Sequence, residues 1–149
     1  MVKHIWSVLC RESVINQENN ALSLMNIFEG INIELKADAP SKIELNIPIE
    51  YEIVTFLKKE EREKEEKVEL RVTLLDPESR QLGSSIIIPV LMQKNRNNHR
   101  QIIKGLGIKI SSEGEYNFQV QLRQKGKEFE TVSSLPFEVR LLKQVSKAK

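Results

Sequence analysis

The chain of 149 residues is poor in the residues that most chemistry needs. It holds one cysteine, Cys10, two histidines, His4 and His99, and two aspartates, Asp38 and Asp76. A single cysteine excludes an intrachain disulfide and fits a reducing compartment, so a cytoplasmic protein is expected. The two histidines lie far apart and share no metal-ligand spacing. No serine sits in a nucleophile elbow. Cys10 lies in an apolar strand, where a thiol is most often inert core. His4 shares its strand, and simple alternation would put the two on one face. No acid stands ready to make them a catalytic set. Aromatic residues make up only 5%, thin material for stacking nucleic-acid bases. No run approaches the ~18 apolar residues of a membrane helix. The apolar run before Cys10 is too short for a signal peptide and lacks its small-residue cleavage site. Leu9 is bulky where a lipoprotein signal wants a small residue. No catalytic, cofactor or metal site is expected, and an enzyme is not expected.

What the chain has is alternation. From Tyr116 to Leu122 apolar and polar residues alternate, as on a half-buried strand. The same pattern runs through Leu45, Ile47, Ile49, Tyr51 and Ile53, beginning at Ile43, and again through Val68, Leu70, Val72 and Leu74. Pro48 within the first of these argues for an edge or a bulge, or for two strands that bend between sheets. Ile86-Ile87-Ile88 suggests a strand buried on both faces, while Pro89 again suggests an edge or bulge. Residues 3–16, 21–25, 31–35, 102–110 and 128–132 complete the strand signals. Ser133 to Pro136 reads as a break before a last inward row of Phe137, Val139 and Leu141. Asp76-Pro77-Glu78-Ser79 and Gln124-Lys125-Gly126-Lys127 read as turns, and Ala37 to Ser41 as a loop. No long helical period appears. The expected fold is all-β, an antiparallel two-sheet sandwich of immunoglobulin-like type, with one domain over 1–142 and a short basic tail over 143–149. Tyr116 follows a turn at Gly114, as the tyrosine of a tyrosine corner does. Phe118 stands where antibody domains carry a cysteine, so a packed ring is expected in place of the disulfide.

Charge is distributed unevenly. Residues 1–78 carry 10 Lys and Arg against 16 Asp and Glu, a balance of −6. Residues 79–149 carry 13 against 5, a balance of +8. Between Glu78 and Glu113 no acid occurs. The candidate partner-binding residues are Lys94, Arg96, His99, Arg100 and Lys104, in and after a polar loop over 93–101. The run Lys58 to Lys67 holds five bases and five acids. It reads as a solvated hairpin extension, with short helical pairing of Glu60 with Lys64 and Glu63 with Lys67 as the alternative. The function expected from these features is a protein–protein interaction module that binds through loops or an edge strand. The alternative is nucleic-acid or polyanion binding through the basic segment from Arg80 to Lys109. An enzyme of unrecognised type is the third reading. The opposite charges of the halves would also allow self-association.

Three stretches carry a resemblance over nearly the whole length. They are Ser23-Leu24-Met25-Asn26-Ile27-Phe28-Glu29-Gly30-Ile31, then Leu70-Arg71-Val72-Thr73-Leu74-Leu75-Asp76-Pro77, and last Gly114-Glu115-Tyr116-Asn117-Phe118 with Leu135-Pro136-Phe137-Glu138-Val139. With these the chain resembles a family of small bacterial β-sandwich proteins known only as a domain of unknown function. The resemblance implies the sandwich fold and brings no catalytic residues. Relative to that family the run 58–67 and the loop 93–101 are long.

Overall fold

The computed structural model describes residues 1–39 and 44–144. Nine strands follow one another: β1 Val2–Ile15, β2 Leu22–Ile27, β3 Gly30–Leu35, β4 Leu45–Lys59, β5 Glu66–Leu75, β6 Gln81–Met92, β7 Asn98–Ile110, β8 Gly114–Gln124 and β9 Glu130–Lys143. No helix occurs among the described residues, so none there is long and apolar enough to cross a membrane. The strands form two packed sheets, in the orders β2-β1-β4-β7 and β3-β9-β8-β5-β6. All pairings are antiparallel except β3 with β9. Ile43, parts of the loop 37–41 and most of the basic tail lie outside the described residues.

The core forms where the alternating rows of the two sheets meet. Val68, Leu70 and Val72 of β5 and Phe118, Val120 and Leu122 of β8 face Ile53 and Leu57 of β4 and Ile103 and Ile108 of β7. Aromatic rings join the layers. Phe118 packs 5.5 Å from Phe137 in its own sheet and 5.0 Å from Tyr51 in the other, centroid to centroid. Tyr116 is fully buried, and its ring stacks on Phe137 at 5.6 Å. Its hydroxyl donates to the Ser112 carbonyl at 2.7 Å and accepts from the Ser111 and Ser112 amides at 3.1 Å. Three backbone groups of the β7–β8 turn are satisfied by one side chain, as burial demands.

The strand prolines sit where a missing donor costs no ladder bond. Pro48 falls in a bulge, where Pro48 and Ile49 oppose Gly107 alone. Gly107 takes φ +87°, a conformation open to glycine. β4 is therefore one strand, and the expected bend between sheets does not occur. Pro89 lies on β6, the outermost strand of its sheet. The expectation that Ile86 to Ile88 is buried on both faces is overturned: Ile87, opposite Arg71, is 50% exposed on the outer face of its sheet, which no second layer covers. The expected break at Ser133–Pro136 is also overturned. β9 runs through it, pairing Ser133 with Val120 and Pro136 with Asn117, and the irregularity is a bulge near Val132. On the other side of Pro136 β3 has not yet begun, since it joins from Glu138.

Turns follow their local chemistry. Ser79 N–H donates to the Asp76 carbonyl at 2.9 Å, closing a turn with Pro77 at its second position. The Asp76 carboxylate accepts from the Arg80 and Glu78 amides and pairs with the Arg80 guanidinium. These donors, the Arg80 amide first, hold the Asp76 carboxyl below its ordinary value. At the β1–β2 turn Asn20 adopts φ 57°, which asparagine tolerates.

Candidate partner-binding site

The sequence-predicted residues do not form one patch. Lys94 and Arg96 are exposed on the β6–β7 connection. His99, Arg100 and Lys104 belong to β7, but on opposite faces. His99 lies opposite Leu57, on the inward side, with its Nε2 3.0 Å from Gln101 Oε1. Arg100 lies opposite Phe56 and Lys104 opposite Glu52, on the outward side. The wider basic segment is more scattered still. Arg80 is at one end of β6, paired with Asp76 and Glu78. Lys94 and Arg96 are beyond the other end of β6, and Lys109 is near the far end of β7. A 13-residue strand separates these positions by on the order of 40 Å.

Two loops that sequence treats separately come together. The run 58–67 is neither the expected hairpin extension nor a helix: β4 and β5 belong to different sheets, so the run crosses from one sheet to the other. Neither expected helical pair forms; Lys64 instead meets Glu61 at 2.7 Å and Lys3 meets Glu60 at 3.2 Å. The β4–β5 connection abuts the β6–β7 loop through Asn95 N–H to the Arg62 carbonyl at 2.9 Å, and through Lys59 N–H to the Asn97 carbonyl at 2.7 Å. The Lys59 side chain is 1% exposed, and its ammonium donates to the carbonyls of Lys64 and of Gln93, the latter at 2.7 Å. A buried ammonium needs such partners. Here it ties both loops into one tip carrying Arg62, Lys94 and Arg96 beside Glu61 and Glu63. Lys59 continues the inward row of Ile53, Thr55 and Leu57, so alternation places it on the buried side while its charge makes it read as solvated.

The outward face of the four-stranded sheet is also partly covered. Cys10 and Val54 are fully buried, yet they lie outside the core between the sheets. Trp6 and Phe56 stack beside them at 5.7 Å. β1 pairs with β4 only as far as Cys10, and from there it pairs with β2. The Asn20 carbonyl at the β1–β2 tip accepts from Arg100 Nη2 at 3.4 Å, which brings the hairpin back to β7. Burial, then the charge of Glu52, pushes the Cys10 thiol up, away from the reactive thiolate. The expected same-face placement of His4 and Cys10 fails. A bulge at Ile5 shifts the register, so His4 opposes Leu57 inside and Cys10 opposes Glu52 outside.

His4 instead meets Ser7, with Nε2 2.7 Å from Oγ, and Ser7 Oγ lies 2.8 Å from Thr55 Oγ1. Burial lowers the His4 pKa. The serine hydroxyl is shared with a fully buried threonine. The row reads as polar satisfaction within a strand pair. Among the described residues no group of three or more His, Cys, Asp or Glu is arranged to hold a metal ion.

Where β1 leaves β4 a cleft opens, with a volume of about 1120 Å³. Arg11, Glu12, Glu50, Glu52, Lys104 and Leu106 contribute to its lining. Tyr51 and Gly105 lie there too. They are cross-strand partners, and the tyrosine ring occupies the space a Cβ at Gly105 would need. No protein-family model matches the chain, and no curated protein matches it.

Proposed function

We propose that the chain is a non-enzymatic protein-interaction module on an immunoglobulin-like scaffold. The order β1-β4-β7 opposite β5-β8-β9 parallels strands A-B-E opposite C-F-G of that architecture. In that correspondence Tyr116 stands near the start of F, with its hydroxyl turned back to Ser112, as in a tyrosine corner. Tyr51 on B and Phe118 on F touch where antibody domains place the inter-sheet disulfide. The tryptophan that antibody domains place on strand C has no counterpart on β5.

The observation that carries the binding reading is the double-loop tip. Two charged loops joined through a buried lysine present a fixed mixed-charge surface, and loops on a rigid scaffold are the usual seat of recognition. Mixed charge favours a protein surface over a polyanion, since Glu61 and Glu63 would oppose phosphate. The test is affinity capture from host lysate after nuclease treatment, with wild type and a Lys94→Ala/Arg96→Ala variant compared by mass spectrometry. A partner that survives nuclease and is lost with the variant is the expected result. Proteins captured equally by the variant, or no protein at all, overturn the reading.

A further inference from the structure

Glu52 is 7% exposed, and among the described residues its side-chain Oε2 has no hydrogen-bond partner. Among the described residues Glu52 is the one with such an atom that lines the cleft, since Asn97 and Arg100, which hold the other unpartnered side-chain atoms, do not line it. Native structures rarely leave a buried acceptor empty, because its desolvation goes uncompensated. Lys104 lies directly opposite on β7, yet no ion pair joins it to Glu52. Beside the carboxylate, β4 offers a second unfilled valence. On its β7 side it is paired from Leu45 onward, whereas on its β1 side pairing begins only at Glu52. Among the described residues the backbone from Leu45 to Tyr51 therefore has no strand on that side, and an open edge accepts another chain.

We infer that this cleft takes an extended peptide that lies along the free edge of β4 and delivers a lysine ammonium to Glu52. The carboxylate sets the charge of the ligand. A single buried acceptor, without two further ligating side chains, suits an N–H donor and not a metal ion. The edge sets the ligand's conformation, and Pro48, which has no N–H, leaves a gap in the donors it presents. With Glu52 counted, the charged lining is Glu12, Glu50 and Glu52 against Arg11 and Lys104, three acids to two bases, a balance that favours the same sign of ligand. The inference shares with the module reading only the premise that the partner is a polypeptide; the surface is separate from the loop tip.

The test uses the full chain labelled with ¹⁵N and two acetylated, amidated hexapeptides. One is Val-Thr-Lys-Val-Thr-Val and the other carries norleucine for lysine. The expected result is that the lysine peptide shifts the amide signals of Leu45–Glu52 and Arg11–Glu12, with the norleucine peptide roughly tenfold weaker or more. Glu52→Gln, an isosteric change, should bring the lysine peptide down to the norleucine level. The peptide comparison on wild type stands even if that variant fails to fold. Equal affinity of the two peptides, shifts confined to other residues, no binding at millimolar peptide, or binding only after Lys104→Ala overturns the inference. So does n-butylammonium binding as tightly as the peptide, because the edge then contributes nothing. If these fail while lysate capture still depends on Lys94 and Arg96, the cleft alone is refuted. If capture also fails, the module reading falls with it.

Discussion

The two sheets obey different rules of burial. In the five-stranded sheet β8 alternates half-buried and buried residues from Tyr116 to Leu122, and its outer face is polar. There Arg71 and Arg123 flank the Phe129 ring at 4.0 and 4.4 Å, and Arg123 pairs with Glu69 at 2.6 Å. In the four-stranded sheet β4 is buried at every residue from Tyr51 to Thr55. One layer has a dry face and a wet one. The other is dry on both sides at its centre, because the β1–β2 hairpin returns over it. The covered sheet must end its coverage somewhere, and it does so at the cleft beside Glu52.

The comparison can be broken by substitution. Leu70→Ala, in the shared core, should cost about 2–5 kcal/mol by urea unfolding. Val54→Ala is the sharper test, because Val54 faces away from that core. If the outer face is a true second layer, the change should cost about 2 kcal/mol. A loss under about 0.5 kcal/mol, the range of surface changes, would show that the hairpin does not cover it. Tyr116→Phe should cost about 1–3 kcal/mol, since the Ser111 and Ser112 backbone groups lose their shared partner. Unchanged stability would argue against the corner.

Asp76 provides a pH-dependent contrast on the polar side. Its folded pKa lies below the ordinary carboxylate value, so its contribution is complete above about pH 4 and fades as pH falls through the folded value. Thermal melts should show Asp76→Asn below wild type at neutral pH, with the gap closing in acid. A gap independent of pH would mean that the carboxylate charge plays no part. The smallest effect is expected at Met25, 47% exposed on the hairpin's outer side, where Met25→Ser should change stability by no more than about 0.5 kcal/mol.

Much of the five-stranded sheet was legible because alternation reports one buried face. Tyr116, Phe118, Val120 and Leu122 announce themselves, as does the Asp76–Ser79 turn. The four-stranded sheet was harder to read. An apolar run such as Ile53-Val54 does not reveal which neighbour covers its second face, and Ile86 to Ile88 carries the same signal on an edge. Bulges defeat counting as well: the extra residue at Ile5 reverses the face of everything before it, which separated His4 from Cys10. The candidate cations illustrate a further limit. Sequence places Lys94 to Lys104 within a dozen positions, but a strand sends Arg100 and His99 to opposite sides. Glu52 gave no signal, since one glutamate among many on an alternating strand looks solvated.

The tyrosine ring resting on Gly105 has a bearing on how such a chain can drift. Tyr51 closes the space of the missing side chain, touches Phe118 across the layers and forms part of the cleft wall. Any residue larger than glycine at 105 must displace that ring, and the ring cannot move without loosening the join between the sheets. Positions 51 and 105 are thus a single heritable unit. Among relatives of this chain they should change together or not at all, and the shape of the cleft beside Glu52 should be among the slowest features to diverge.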